Sequence, residues 1–125
     1  QRQMCIRDRQ MLSAELLSFI VGNLIIKNMV DRLRPCQIDE TVSLIVKIPF
    51  DSSFPSGHTL NGITAAVTLM FIDKRMGIPA IVLAVLIAFS RMYNFMHFPT
   101  DVLAGAVLGV VSAVFVNFLF KRAGN

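Results

Sequence analysis

Between Val102 and Phe120 the chain carries no charged side chain. A helix that crosses a bilayer takes roughly 20 mainly apolar residues, so this segment is suited to lipid. The rest of the chain agrees with it. Of the 125 residues, 54% are hydrophobic and 16% are charged, and the mean hydropathy is +0.63. A soluble domain of this length carries about a quarter charged residues. The expected fold class is all-α, a multi-pass transmembrane helical bundle forming one domain.

Four apolar segments are expected to be its helices. Residues 11–33 form the first, a largely apolar run with Glu15 as the exception near one end, and Pro35 stops it. Residues 36–54 read as a loop in which Val42, Leu44, Ile45 and Val46 dip against the membrane. A second helix starts near Pro55, with Ser53 as N-cap, and runs to Phe71 or Ile72. Asp73-Lys74-Arg75, Gly77 and Pro79 make a tight turn. The third helix runs from Ile78 to Ser90 and continues into Met92-Tyr93, and Pro99 opens the fourth. Gly105 and Gly109 stand four apart, a spacing that lets membrane helices approach closely. A soluble amphipathic bundle is the competing architecture, and it requires polar stripes that helices two to four lack.

The first nine residues stand apart. Gln3-Met4-Cys5-Ile6-Arg7-Asp8-Arg9 resembles the conceptual translation of a sequencing-adapter end and neither caps nor continues a helix. Residues 1–9 are therefore expected to be an artefactual, non-native segment, with residues 10–125 as the membrane domain; a genuine basic cytoplasmic segment is the competing reading. Without residues 1–9 the chain loses three Arg and one Asp, so its formal +4 falls to +2, and Cys36 is its remaining cysteine. A lone cysteine forms no internal disulfide. The scattered basic residues make no nucleic-acid patch.

Charge also sets a topology. Asp73-Lys74-Arg75 and Lys121-Arg122 close the second and fourth helices on one side. The positive-inside rule makes that side cytoplasmic, C-terminus included. The remaining polar residues then gather at the opposite, extracytoplasmic mouth in three clusters: Lys27-x6-Arg34-Pro35, Pro55-Ser56-Gly57-His58 and Ser90-Arg91-x5-His97-x3-Asp101.

Each cluster suits a phosphate group. Lys27 and Arg34 are seven apart, close to two helical turns, so both are expected to face the same way. Arg grips phosphate with two parallel bonds and Lys acts as a point charge; the competing reading is a snorkelling lysine and a solvated helix end. Gly57 at a helix N-terminus offers free N–H groups to an anion, Ser56 adds a hydroxyl, and His58 is placed to protonate a leaving oxygen. His97 and Asp101, four apart, allow the carboxylate to hold one imidazole nitrogen and leave the other free to attack phosphorus. Arg91, at the end of the neighbouring helix, is expected as a further phosphate donor. No Asp, Glu or His group has evident metal-ligand spacing.

Together the clusters resemble the three-part signature of the type 2 phosphatidic acid phosphatase superfamily. That family comprises lipid phosphate phosphatases, bacterial undecaprenyl pyrophosphate phosphatases, class A acid phosphatases and vanadium haloperoxidases. All eleven signature positions match: Lys27, Arg34, Pro35, Pro55, Ser56, Gly57, His58, Ser90, Arg91, His97 and Asp101. The resemblance implies His97 as the nucleophile that forms a phosphohistidine, oriented by Asp101, and His58 as general acid. It implies Lys27, Arg34, Ser56, Gly57 and Arg91 as phosphate ligands, with no metal and no cofactor. Membrane members have six helices, so the four found here are expected to be the last four of an N-terminally truncated sequence.

The function so implied is an integral membrane phosphatase acting on a lipid phosphate or pyrophosphate at the extracytoplasmic face. The candidates are undecaprenyl pyrophosphate, phosphatidic acid and phosphatidylglycerol phosphate, with a weak lean to a bacterial enzyme of the first kind. The expected partners are the lipid bilayer and that substrate, with no nucleic acid. The alternative is a catalytically silent phosphate-binding membrane scaffold or transport component. Phosphoryl transfer asks a protein mainly for positioning and charge stabilisation, which these cations supply.

Overall fold

A computed structural model describes every residue except 40, 42, 46 and 125. Its described residues form four long helices and one short one: α1 (Arg2–Met29), α2 (Pro35–Ile38), α3 (Gly57–Ile72), α4 (Lys74–Tyr93) and α5 (Pro99–Ala123). The all-α bundle expected from the sequence is what forms. α3 is the central helix, packed against α1, α4 and α5, while α4 barely touches α5. Helices α1, α4 and α5 are each long and apolar enough to cross a membrane, and α3 is a shorter apolar helix of 16 residues.

The core between helices is thin. Ile63, Ala66 and Ala84 are buried together, with Val67, Ala80, Ile81 and Ala106 against them. Large side chains such as Leu83, Phe89, Val111 and Phe115 point outward and are more than half exposed. An apolar exterior over a core of small residues is the arrangement of helices solvated by lipid. Among the described residues the outward faces of α4 and α5 lack the polar stripes of a soluble bundle, and the chain is a multi-pass membrane domain.

The paired glycines of α5 explain how close α3 comes. A Cβ on Gly105 would lie 2.7 Å from the Ser56 carbonyl oxygen, and one on Gly109 would lie 2.8 Å from that of Leu60. Close approach is therefore the reason for this pair. At the other end of the bundle the buried Gln10 amide donates to Asn117 Oδ1 at 3.1 Å, tying α1 to α5.

Several expected boundaries are corrected. α1 reaches back to Arg2, so residues 2–9 continue a helix. It includes a π-helical stretch, Phe19–Ile26, and ends at Met29 instead of residue 33. The early end has a tertiary cause. Ser52 Oγ donates to the Val30 carbonyl, Arg32 N–H donates to Ser52 Oγ at 3.1 Å, and Ser53 N–H donates to the Arg32 carbonyl at 2.9 Å. Backbone groups that a longer helix would pair internally are thus paired with residues 52–53. α3 begins at Gly57 with Ser56 as its N-cap residue, so Pro55 precedes the helix and Ser53 does not cap it.

The turn between α3 and α4 is also shorter than expected. Asp73 caps α4 by accepting from Arg75 N–H at 2.9 Å, and Gly77 and Pro79 lie inside the helix. Within the expected loop, Pro35–Ile38 is helical, Leu44 is half-buried and Ile45 is exposed. Positions 40, 42 and 46 of that loop lie outside the described residues.

Candidate functional site

The three polar clusters converge on one cleft of about 850 Å3. Lys27, Arg34, Gly57, His58, Arg91 and His97 line it, six of the eight residues picked from the sequence. Phe19, Leu24, Ile87 and Met96 supply apolar wall. Asp101 and Ser56 are fully buried and stand behind that wall. Ser56 Oγ accepts from Thr59 Oγ1 at 3.1 Å, and its N–H donates to the Asp101 carbonyl at 3.1 Å, joining the starts of α3 and α5. The structure does not bring the Ser56 hydroxyl to the cleft surface as the sequence reading expected.

Lys27 and Arg34 do meet, but not along one helical face, because the chain leaves the helix between them. They meet on Asp51, whose carboxylate bonds Lys27 Nζ at 2.5 Å and the Arg34 guanidinium at 2.6 Å. Partial burial acts to raise the Asp51 carboxyl, but bonds and charge from Lys27 and Arg34 outweigh it and hold it below the usual carboxylate range. Arg34 is almost fully buried and bonds in several directions. Besides the Asp51 carboxylate it reaches the Met96 carbonyl at 3.0 Å and His97 Nε2 at 3.2 Å.

His97 is presented by the turn between α4 and α5, where Phe95 takes φ 55° and turns the chain back toward Arg34. Its Nδ1 lies 2.8 Å from the Ser53 carbonyl oxygen. A carbonyl accepts only, so Nδ1 carries the proton and the Nε2 lone pair faces Arg34 and the cleft. Burial, and then the Arg34 charge, push the imidazole down from 6.5 to about 4, against the opposing pull of Ser53 and Asp101. The ring is therefore neutral at pH 7.

The expected direct bond from Asp101 to His97 is absent. Asp101 Oδ2 lies 3.9 Å from Nδ1, beyond hydrogen-bond reach. The carboxylate instead accepts from Ser53 Oγ at 2.5 Å, from Phe98 N–H at 2.8 Å and from Arg32 at 3.0 Å. The Phe98 bond is the reach-back of an N3 acid to its N-cap, with Pro99 at N1, and it fixes where α5 starts.

Gly57 also has a reason in the structure. A Cβ there would lie 2.9 Å from Asn23 Oδ1 and 3.7 Å from Lys27 Nζ, so glycine lets α1 carry its lysine up to the start of α3. Asp51, Ser53 and Arg32 went unread as site residues. Each acts through a contact made in folding, and no spacing rule announces it.

A family model described as the PAP2 superfamily matches residues 9–124. The chain belongs to that superfamily. It is 37% identical over 107 residues to the undecaprenyl-diphosphatase of Sulfolobus acidocaldarius, covering 82% of this chain and 52% of that protein. To the bacitracin transport permease protein BcrC of Bacillus licheniformis it is 31% identical over 113 residues, covering 88% and 56%. The crystal structure of a transmembrane PAP2 type phosphatidylglycerolphosphate phosphatase from Bacillus subtilis superposes with a TM-score of 0.73 at 29% identity, covering 90% of this chain and 58% of that one. The chain thus spans about half the length of the curated relatives it matches.

The neutral His97 is open to a direct test. The chain holds two histidines, so the ring resonance that remains in His58→Asn belongs to His97. Its titration midpoint is expected near pH 4, well below the ordinary 6.5. Between those values the unfolded chain binds the proton that the folded one releases, so stability is expected to fall as pH drops from 6.5 toward 4. A midpoint at 6 or above would remove burial beside Arg34 as the controlling influence.

Proposed function

We propose that this PAP2 domain hydrolyses a lipid phosphate or pyrophosphate through a phosphohistidine on its extracytoplasmic face. One observation carries the proposal: the Nε2 lone pair of a neutral His97, with Nδ1 held by a carbonyl, is turned into a cationic cleft beside Arg34. In the reaction Nε2 attacks phosphorus while the bond to the leaving oxygen breaks. His58 gives that oxygen its proton. Lys27, Arg34 and Arg91 take the charge spread over the equatorial oxygens, the Gly57 N–H adds a donor, and Asp101 balances the imidazolium that forms. Ser56, buried behind the wall, fixes the start of α3 that presents the Gly57 N–H and does not itself touch the phosphate. His58 then takes a proton from water as the water attacks the phosphohistidine, and phosphate leaves.

The apolar wall beside these cations fits a lipid tail entering from the side. Undecaprenyl pyrophosphate is the leading substrate, in line with the diphosphatase relative, and phosphatidic acid and phosphatidylglycerol phosphate are the others. Residues 1–9 are read as non-native and 10–125 as the phosphatase domain. The positive clusters at 74–75 and 121–122 support a cytoplasmic C-terminus by the positive-inside rule. A second reading, a phosphate-binding transport component, draws on the permease name of the BcrC relative.

A phosphate-release panel over lipid monophosphates and pyrophosphates separates the two readings, using the full-length protein in liposomes. Hydrolysis is expected to survive chelator and to be blocked by vanadate, which mimics five-coordinate phosphorus. Loss of all activity in chelator would mean a metal-dependent mechanism, and no release from any lipid would favour the transport reading.

A further inference from the structure

The machinery around His97 includes two residues outside the eleven signature positions. Ser53 is fully buried and makes three separate contacts. Its carbonyl takes the Nδ1 proton of His97 at 2.8 Å, its hydroxyl donates to Asp101 Oδ2 at 2.5 Å, and its N–H donates to the Arg32 carbonyl at 2.9 Å. Arg32 closes the loop from the other side. Its guanidinium bonds Asp101 Oδ1 at 3.0 Å and Thr100 Oγ1 at 2.8 Å, and lies 4.3 Å over the Phe98 ring. Asp101, also fully buried, spends its acceptors on these donors and on Phe98 N–H.

We infer that Ser53 and Arg32 are positioning residues for His97, and that Asp101 orients the imidazole through them instead of by a direct bond. The inference rests on the proposed phosphohistidine chemistry. A carboxylate only accepts, so the Ser53 hydroxyl is committed to Asp101, and that commitment sets the direction of the Ser53 carbonyl. The carbonyl in turn selects the tautomer with a proton on Nδ1 and the lone pair on Nε2, where it accepts from Arg34 until a phosphorus takes that place. With the hydroxyl removed, the carbonyl is free to swing. A His97 that places its proton on Nε2 has no lone pair to attack phosphorus. Arg32 holds the opposite carboxylate oxygen, so Asp101 is clamped from both ends. Arg32 from within the first signature segment, Ser53 from just before the second and Asp101 from the third therefore share one bracket behind the nucleophile.

The test is a set of variants in the full-length, liposome-reconstituted protein. Ser53→Ala is expected to lower kcat about 10- to 100-fold, the usual cost of losing a partner that orients a reacting side chain, with KM within twofold of wild type. The 15N shifts of His97 should report protonated Nδ1 in the wild type and a mixture of tautomers in Ser53→Ala. Ser53→Ala/Asp101→Asn is expected to be no slower than Asp101→Asn alone, because both changes open the same bracket. Arg32 is partly exposed, so its replacement is expected to cost the fold less than that of the buried serine. Arg32→Gln should repeat the kcat loss and the non-additivity, and Arg32→Lys should recover most of the rate. Multiplicative losses in the double variants, or a change confined to KM, would overturn the bracket. A wild-type rate in both Ser53→Ala and Arg32→Gln, with His97→Ala inactive, would sink the bracket and spare the chemistry. Persisting hydrolysis in His97→Ala would sink the chemistry itself.

Discussion

Replacing His97 with alanine is expected to lower kcat by at least on the order of 10^4-fold, a loss of ~5 kcal/mol of transition-state stabilisation. The imidazole is asked to form the bond to phosphorus, and no other described group has its lone pair aimed into the cleft from beside Arg34. The small side chain leaves the Ser53 carbonyl without its donor, a modest cost against the fold. Expression and helix content should therefore hold while phosphate release stops. Vanadate or phosphate should still bind, since Lys27, Arg34 and Arg91 remain. The decisive measurement is the single-turnover rate with a lipid pyrophosphate. A variant within tenfold of wild type would mean that another group attacks phosphorus.

Arg34→Lys is expected to be nearly as damaging, at roughly 10^2- to 10^3-fold in kcat/KM, the cost of losing one well-placed donor to transition-state charge. Charge is kept in this substitution and geometry is lost. The guanidinium reaches the Asp51 carboxylate, the Met96 carbonyl and His97 Nε2 together. A single ammonium nitrogen cannot span those three directions. Kinetics of Arg34→Lys beside Lys27→Arg check the point. If Arg34→Lys stays within a few-fold of wild type, the fork is dispensable and only positive charge matters.

Which parts of this were legible in the sequence follows from how each is encoded. Apolar runs between Pro35, Asp73 and Pro99 marked the helices because lipid sorts residues by hydropathy alone. Signature spacing found Lys27, Arg34, His58, Arg91 and His97 because each cluster is confined to a short stretch of chain, even where, as at Arg34 and His97, that stretch is not helical. Ser53 was misread as an N-cap, a role that local pattern suggests and that Ser56 holds instead. Its true partners, His97 and Asp101, lie 44 and 48 residues away. Asp51 and Arg32 escaped for the same reason. The end of α1 at Met29 was hidden because Ser52 and Ser53, not any breaker within the helix, take up its last backbone groups. His97 and Asp101 stand 3.9 Å apart without the expected bond, because four residues of separation do not fix which donor reaches a carboxylate first.

The 16 residues of α3 have a consequence for depth. At 1.5 Å per residue this helix is roughly 24 Å long, against a hydrocarbon layer of about 30 Å. With its Asp73 end at one interface and its axis along the bilayer normal, α3 would leave Gly57 and His58 several ångströms beneath the opposite water boundary. A headgroup would then meet the cations at nearly its resting height, sliding sideways in the leaflet without being lifted into solvent. Turnover should accordingly track bilayer thickness, with short-chain host lipids shifting the optimum.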